Sequence, residues 1–186
     1  MTTATKENKI INGVNVTKLE ETIQTVRKQP EVAEFKFRAK NKWIDGGENK
    51  IEVGDFYGAC QEHTRKKPFT FTADEPPVLL GKDQGANPVE YVLAALSGCM
   101  TTTIAYHAAL QGVEIGGIES DYEGDLDLKG LLGVDPKARK GYKEIRVRFK
   151  VKTEAEREKI VELAKNSPVF DVITNPTPIK IVVEKE

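Results

Sequence analysis

Residues 91–111 limit the fold more than any other feature, because no charged side chain occurs among them. Helix signals stand at both ends of this stretch. Asn87 is a favoured N-cap residue, Pro88 suits the first helical position, and Gly112 is a common stop. These signals predict one helix over 88–111, about 36 Å long at about 1.5 Å per residue. A helix that is apolar on nearly all sides needs to be buried in protein.

An uncharged stretch of this length can also cross a membrane. Polar side chains within it argue against that interpretation; they are Ser97, Thr101, Thr102, Thr103, His107 and Gln111. The flanking segments alternate like strands of a water-soluble protein, and the sequence has no second stretch of this kind. We therefore expect no membrane association, and we expect a sheet and a second subunit to cover the helix.

The charge balance excludes two classes of partner. The chain has 28 basic and 29 acidic residues and a net charge of −1, so neither nucleic acid nor an anionic membrane is expected as the main partner. No apolar segment of a secretory signal opens the sequence, which predicts a cytoplasmic location and reduced cysteines. The two cysteines and two histidines lack the spacing of metal ligands, so we expect neither a metal nor another cofactor.

Alternating polar and apolar residues predict half-exposed strands on both sides of the long helix. The predicted strands cover 33–43, 50–57, about 60–72, about 118–128, 144–152 and 178–184. The segment 118–128 has an acidic face and 144–152 has a basic face, which predicts that these two strands pair. Thr153 and Glu156 predict a capping box for a further helix to about Asn166. The chain is therefore expected to have an α+β fold.

The first part of the chain differs in pattern from the rest. A small Asn-Gly hairpin or loop is predicted at 10–16, followed by a helix with a capping box at Thr17 and Glu20. We interpret residues 1–32 as an N-terminal helical appendage and residues 33–186 as the main domain.

Cys99, in the middle of the long predicted helix, is the only plausible reactive centre. Its neighbours alone favour a buried core cysteine, and a reactive thiolate there would need a cation from another element or subunit. Cys60 follows an aromatic segment and is expected on a strand, as a core or edge residue. The sequence leaves open whether Cys60 and Cys99 can pair.

Two motifs resemble the OsmC / organic hydroperoxide resistance superfamily. The first is GKDQGANPVEY followed by AALSGC within residues 81–99, and it has Cys99 twelve residues after Asn87, as in the central helix of that family. The second is LAKNSPV followed by ITNPTP within residues 163–178. The resemblance extends over roughly residues 33–186.

This resemblance implies an intertwined homodimer, in which antiparallel sheets with strands from both chains wrap two long central helices. It also implies that a reactive cysteine on the central helix reduces peroxides, and that a second cysteine before a proline closes a disulfide with it. Cys99 stands at the first of these positions. Ser167 stands at the second, and a hydroxyl cannot form a disulfide.

Two further positions concern the groups that activate the thiolate in the family. These groups are a glutamate two residues after the asparagine and an arginine on an early strand or loop. Val89 occupies the glutamate position, and Glu90 is better explained as the capping-box partner of Asn87. Arg38 and Arg65 are candidates for the arginine by region only.

Three functions are consistent with these residues. The first is a peroxide-stress protein, a thiol-dependent (hydro)peroxide reductase in which Cys99 reacts and an external thiol, or Cys60, resolves the sulfenic acid. The alternative is a non-redox binding protein whose dimer-interface pocket, containing Val89 and Ser167, holds a small apolar or acyl ligand. The third is an enzyme that uses Cys99 as a nucleophile toward another substrate.

Overall fold

The computed structural model describes residues 8–185 and shows a mixed fold of helices and antiparallel sheets. The chain divides into two compact units, one up to Val92 and the other from Leu93 onward. The boundary falls within the long helix, so the first residues of that helix belong to one unit and the remainder to the other. The predicted division between residues 32 and 33 stays a prediction.

The first unit opens with the predicted Asn-Gly hairpin. Strands β1 (Ile10–Ile11) and β2 (Val14–Asn15) pair around Asn12 and Gly13. The φ angles of these two turn residues are +53° and +73°, as a two-residue hairpin turn requires. Helix α1 (Val16–Lys28) follows directly.

The cap of α1 differs from the prediction. Asn15, not Thr17, is the N-cap residue, and its side chain accepts a hydrogen bond from the Lys18 N–H at 2.9 Å. The Thr17 hydroxyl instead accepts a hydrogen bond from the Lys9 N–H at 3.1 Å. The predicted capping box of Thr17 and Glu20 is therefore wrong, because an amide side chain two residues earlier already caps the helix.

Five further strands lie in the first unit. They are β3 (Lys40–Asp45), β4 (Glu48–Val53), β5 (Phe56–Gly58), β6 (Gln61–His63) and β7 (Phe69–Ala73). A three-stranded antiparallel sheet has the order β3–β4–β7, and β5 and β6 form a separate hairpin.

The predicted strand 33–43 is correct only from Lys40 onward. Pro30–Ala33 forms a 3₁₀ turn, and Lys36 makes an isolated bridge with Tyr57 instead of joining the sheet. Residues in this segment alternate in polarity without belonging to a continuous strand.

The predicted strands 50–57 and 60–72 each divide in two. Gly54 and Asp55 separate β4 from β5, and the Asp55 carboxylate accepts a hydrogen bond from the Arg65 N–H at 2.9 Å. Arg65 lies in the segment between β6 and β7, which belong to different sheets.

Helix α2 (Pro88–Leu110) confirms the long helix predicted for 88–111. It stops at Gly112, whose φ of +72° is the left-handed conformation that glycine adopts without a steric cost. The Val113 N–H then donates to the Ala108 carbonyl at 2.9 Å, which satisfies one of the last helix carbonyls.

After α2, the second unit contains two strands and three helices. These elements are β8 (Gly117–Asp125), α3 (Leu128–Leu131), β9 (Glu144–Lys152), α4 (Arg157–Ala164) and α5 (Pro168–Thr174). The buried core combines side chains of α2 and α4, namely Leu96, Met100, Ile104, Ala108, Ile160, Leu163 and Ala164. Partly buried apolar residues of β8, β9 and α5 surround this core.

Strands β8 and β9 pair antiparallel, as the acidic and basic faces predict. Opposite charges face each other at three cross-strand positions, Glu119–Lys150, Asp121–Arg148 and Glu123–Arg146. The Arg146 guanidinium also donates to Asp125 at 2.6 Å. This hydrogen bond holds the pKa of the Asp125 carboxyl below its ordinary value.

The helix predicted from Thr153 starts later than expected. The Thr153 hydroxyl donates to the Glu114 carbonyl at 2.7 Å, and α4 begins only at Arg157. The helix α4 ends at Ala164, shortly before Ser167 and Pro168, as predicted. Pro168 also begins α5, a helix that the sequence pattern did not predict.

The predicted strand 178–184 is wrong for the described chain. No strand among residues 8–185 pairs with this segment, and Ile179 and Ile181 are 82% and 83% exposed. A strand needs a neighbour for its N–H and C=O groups, and the described chain offers none here.

Among the described residues, α2 is the one helix long and apolar enough to cross a membrane by length and composition. Core helices of water-soluble proteins meet the same criterion. Because Leu96, Ile104 and Ala108 of α2 lie in a protein core, this single helix is weak evidence for a membrane span.

Replacing Leu163 tests the core of the second unit. Leu163 is 1% exposed, and we expect Leu163→Ala to lower the free energy of unfolding by about 2–5 kcal/mol through lost burial and a residual cavity. Val161 lies on the same helix but is 52% exposed, so Val161→Ala is the matched control and should change stability by about 0.5 kcal/mol or less. Equal effects in denaturant titrations would contradict this packing.

Candidate functional site

A buried carboxylate organises the loop that leads into α2. Asp74 is 1% exposed and accepts hydrogen bonds from three backbone N–H groups, those of Glu75 at 2.8 Å and of Lys82 and Gln84 at 3.1 Å. Burial alone would raise the pKa of Asp74, but these three donors outweigh it and hold the pKa below its ordinary value. The ionised side chain thus links the start of this loop, at Glu75, to the backbone at Lys82 and Gln84.

Two glycines let the same loop close. A Cβ atom at Gly81 would overlap the carbonyl of Glu75, and one at Gly85 would overlap the carbonyl of Thr72. No other residue type fits at these two positions without moving the backbone, so the glycines of the family-like motif have a steric role.

The loop ends in the predicted capping box. The Asn87 side-chain oxygen accepts a hydrogen bond from the Val89 N–H at 2.9 Å, and the Glu90 carboxylate accepts one from the Asn87 N–H at 2.8 Å. The Asn87 side-chain amide also donates to the Glu75 carboxylate. Glu90 is therefore a capping residue, as predicted, and Val89 adds a partly buried apolar side chain to the first turn.

Cys99 lies at the border between the packed and open sides of α2. Its neighbours Leu96 and Met100 are buried in the core, whereas Cys99 is a free thiol that is only partly buried. Gly98 is exposed, and a Cβ atom there would meet no atom within 4 Å. The expectation of a fully buried core cysteine is therefore wrong, because the position faces the edge of the core.

Ser167 has a structural contact that a redox residue would not need. It is 1% exposed, and its hydroxyl oxygen accepts a hydrogen bond from the Phe170 N–H at 3.2 Å. Ser167 is thus the N-cap of α5.

Cys60 occupies a turn and not a strand. Ala59 and Cys60 connect β5 to β6 with φ angles of +46° and +61°, and Cys60 is an exposed free thiol. The prediction of a core or edge strand residue is wrong, because the hairpin needs two left-handed residues at this point.

Both arginine candidates belong to the first unit and are already engaged. Arg38 forms a bidentate pair with Glu62, with N–O distances of 2.8 and 2.7 Å. The Arg65 guanidinium lies over the rings of Phe56 and Phe69, 5.3 and 4.9 Å from their centroids. The role of either arginine toward Cys99 stays a prediction.

Asp74 was not predicted as a site residue from the sequence. The available signal was an acidic residue placed between a strand end and a loop that contains Gly81 and Gly85. Its burial could not be predicted, because the three N–H groups that bind it converge only after the loop has closed.

The match to a known family covers more than half of the chain. Residues 81–182 match the model of the OsmC-like protein family, so this chain belongs to the OsmC-like family. The matched segment contains Cys99 and Ser167, together with the capped start of α2. No curated protein sequence matches the chain significantly.

Solved structures show the same fold at low sequence identity. An OsmC-like protein from Mycoplasma pneumoniae is 15% identical, with a TM-score of 0.55 over 76% of this chain and 89% of that one. An OsmC-like protein of unknown function from Vibrio cholerae is 16% identical, with a TM-score of 0.55 over 76% and 94%. The organic hydroperoxide resistance protein OsmC from Legionella pneumophila is 17% identical, with a TM-score of 0.51 over 74% and 88%.

Replacing Asp74 tests the loop that starts α2. We expect Asp74→Asn to lower the free energy of unfolding at pH 7, because an amide cannot accept all three N–H bonds. The folded pKa of Asp74 is depressed, so its contribution is present above the unfolded value of about 3.9 and is lost as the pH falls through the folded pKa. The difference between the wild type and the variant should therefore shrink below about pH 4.

Asp83→Asn is the matched control, since Asp83 is an exposed residue of the same loop with a φ of +57°, a conformation that asparagine adopts readily. Equal, pH-independent stability of the wild type and Asp74→Asn in chemical denaturation would contradict the role of Asp74.

Proposed function

We propose that the chain is a thiol-dependent (hydro)peroxide reductase that uses Cys99 and an external thiol. The observation that carries the proposal is a partly exposed free thiol in the middle of α2, inside the segment matched to the OsmC-like family. A structural neighbour described as an organic hydroperoxide resistance protein supports the same class of substrate. A cytoplasmic location would supply the reducing thiols.

The proposed reaction has two halves. The Cys99 thiolate attacks the terminal oxygen of a hydroperoxide, an S–O bond forms as the O–O bond breaks, and the leaving alkoxide takes up a proton to become an alcohol. Cys99 is thereby oxidised by two electrons to a sulfenic acid. An external dithiol then attacks the sulfur and releases water, and its second thiol displaces Cys99 as it closes a disulfide.

A resolving thiol must come from elsewhere than position 167, because Ser167 cannot resolve the sulfenic acid. The Ser167 side chain has no sulfur, and its oxygen caps α5 in the buried interior. Cys60 is a second candidate for the resolving thiol, since it is exposed and free.

The active form is proposed to be a homodimer. In one chain, an uncharged face of α2 remains exposed; it includes Ala95, Gly98, Thr102 and Tyr106. Large side chains of the first unit are exposed as well, among them Trp43, Phe69 and Phe71. Exposed apolar surface of this kind is typical of a subunit interface, and the second copy of the chain would cover it.

Peroxide consumption tests the reaction. With cumene hydroperoxide and dithiothreitol, the wild type should consume peroxide. Cys99→Ser should fall to the rate without protein, because a serine hydroxyl cannot be oxidised to a sulfenic acid. Cys60→Ser is the matched thiol control and should retain the wild-type rate if an external thiol resolves Cys99.

Equal background rates for the wild type and Cys99→Ser would contradict the reductase and favour a non-redox binding protein. Alkylation of Cys99 by iodoacetamide as a function of pH would then separate a nucleophile for another substrate from an inert thiol.

Gly98→Gln tests the dimer. A side chain at Gly98 meets no atom of its own chain within 4 Å, and replacing a helical glycine should stabilise an isolated helix by up to about 1 kcal/mol. A partner that approaches this face would be blocked, so we expect the variant to shift from dimer to monomer in size-exclusion chromatography with light scattering.

Lys165→Gln is the control, because Lys165 is exposed directly after α4, outside this face of α2. A wild type that is monomeric at micromolar concentration would contradict the dimer, and so would a Gly98→Gln variant that remains fully dimeric.

A further inference from the structure

A cleft in the second unit lies among α2, β9 and α5. Its volume is about 310 Å³, at the lower end of the range of about 300–1,000 Å³ for small-molecule sites. Six apolar side chains line it, namely Leu96, Met100, Ile145, Val147, Phe170 and Ile173. Cys99 is not among the lining residues, although Met100, the next residue along α2, is one of them.

The floor of the cleft suits an apolar chain. Leu96 and Met100 are almost fully buried, and the side chains from β9 and α5 are partly buried around them. Methionine has an unbranched, polarisable side chain that adapts to ligands of different shape. Water at this apolar floor would find few hydrogen-bond partners, so an apolar group that displaces it there gains free energy.

Within the described part of the chain, the mouth of the cleft has one cation without a carboxylate partner. Lys143 donates to Asp127 at 2.9 Å, and Glu144 accepts from Arg146 at 3.0 Å, so both of these mouth residues are engaged. Arg139 also lines the cleft, and among residues 8–185 its guanidinium forms no ion pair.

The backbone at Arg139 is closely packed. A Cβ atom at Gly130 of α3 would overlap the Arg139 carbonyl, so the chain at Arg139 lies directly against this helix. The guanidinium is therefore attached to a backbone with little room to move, although the side chain itself is exposed. A guanidinium has a planar set of donors that matches the two oxygens of a carboxylate.

We propose that this cleft binds a small apolar carboxylate, with its hydrocarbon part among the six apolar side chains and its carboxylate on Arg139. A cationic ligand would be repelled by Arg139, and a neutral ligand would form no ion pair with the guanidinium. The site does not depend on the proposed reductase activity, because no lining residue takes part in the thiol chemistry.

Calorimetric titration with octanoate tests the proposal on the full chain. The wild type should bind one octanoate per chain saturably, and 1-octanol should bind about tenfold more weakly because it lacks the charge-assisted hydrogen bonds. Octylamine should not bind measurably. Arg139→Gln should weaken octanoate binding by about tenfold and leave 1-octanol binding unchanged, since only the carboxylate contact is lost.

Two further variants distinguish binding in this cleft from binding elsewhere on the chain. Lys140→Gln removes a neighbouring exposed cation that does not line the cleft, and it should bind octanoate like the wild type. Thr174→Trp places a large ring at an exposed lining position and should abolish binding of both octanoate and 1-octanol without unfolding the core. Far-ultraviolet circular dichroism would verify that this variant is folded.

Several results would overturn the proposal. These are no saturable octanoate binding by the wild type, equal affinity for octanoate and octylamine, equal weakening by Arg139→Gln and Lys140→Gln, or undiminished binding by folded Thr174→Trp. Cys99→Ser should bind octanoate like the wild type while it loses peroxide consumption. The proposed carboxylate site and the proposed reductase activity can therefore be contradicted independently of each other.

Discussion

Burial of one face of α2 is the interaction on which the second unit depends. Leu96, Met100 and Ile104 pack against α4 and against the inner faces of β8 and β9. This packing determines which α2 residues point inward, and hence places Cys99 at the edge of the core. It also supplies the floor of the cleft beside β9 and α5. The same helix therefore contributes both the partly buried Cys99 and the cleft residues Leu96 and Met100, and Met100 directly follows Cys99.

The start of α2 depends on polar contacts instead. Asp74 binds three backbone N–H groups, and Asn87 and Glu90 complete the cap. All of these contacts satisfy backbone donors that would otherwise lack a partner at a buried turn or helix end. The family-like motif from Gly81 to Glu90 is thus explained by folding requirements, whereas Cys99 is a partly buried free thiol that takes no part in these contacts.

Sequence reasoning succeeded where the signals were dense and local. The charge-free run with Asn87 and Gly112 at its ends predicted α2, and the opposite charge stripes predicted the pairing of β8 with β9. The predictions were wrong or missing where tertiary contacts determine the backbone conformation or the burial of a residue. The turn at Ala59 and Cys60 is left-handed, but neither position has the glycine or asparagine that would predict such a turn from sequence. The burial of Asp74 arises only when its loop closes.

The exposed segment 178–184 has a consequence for the behaviour of the chain in solution. Its alternating branched side chains, Ile179, Ile181 and Val183, combine high strand propensity with a backbone that pairs with no strand of the described chain. Such a segment adds to any open strand edge, and both β8 and β9 have one within the described residues. The exposed segment is therefore an aggregation-prone sequence, and the solubility of the chain should depend on whether another strand covers it.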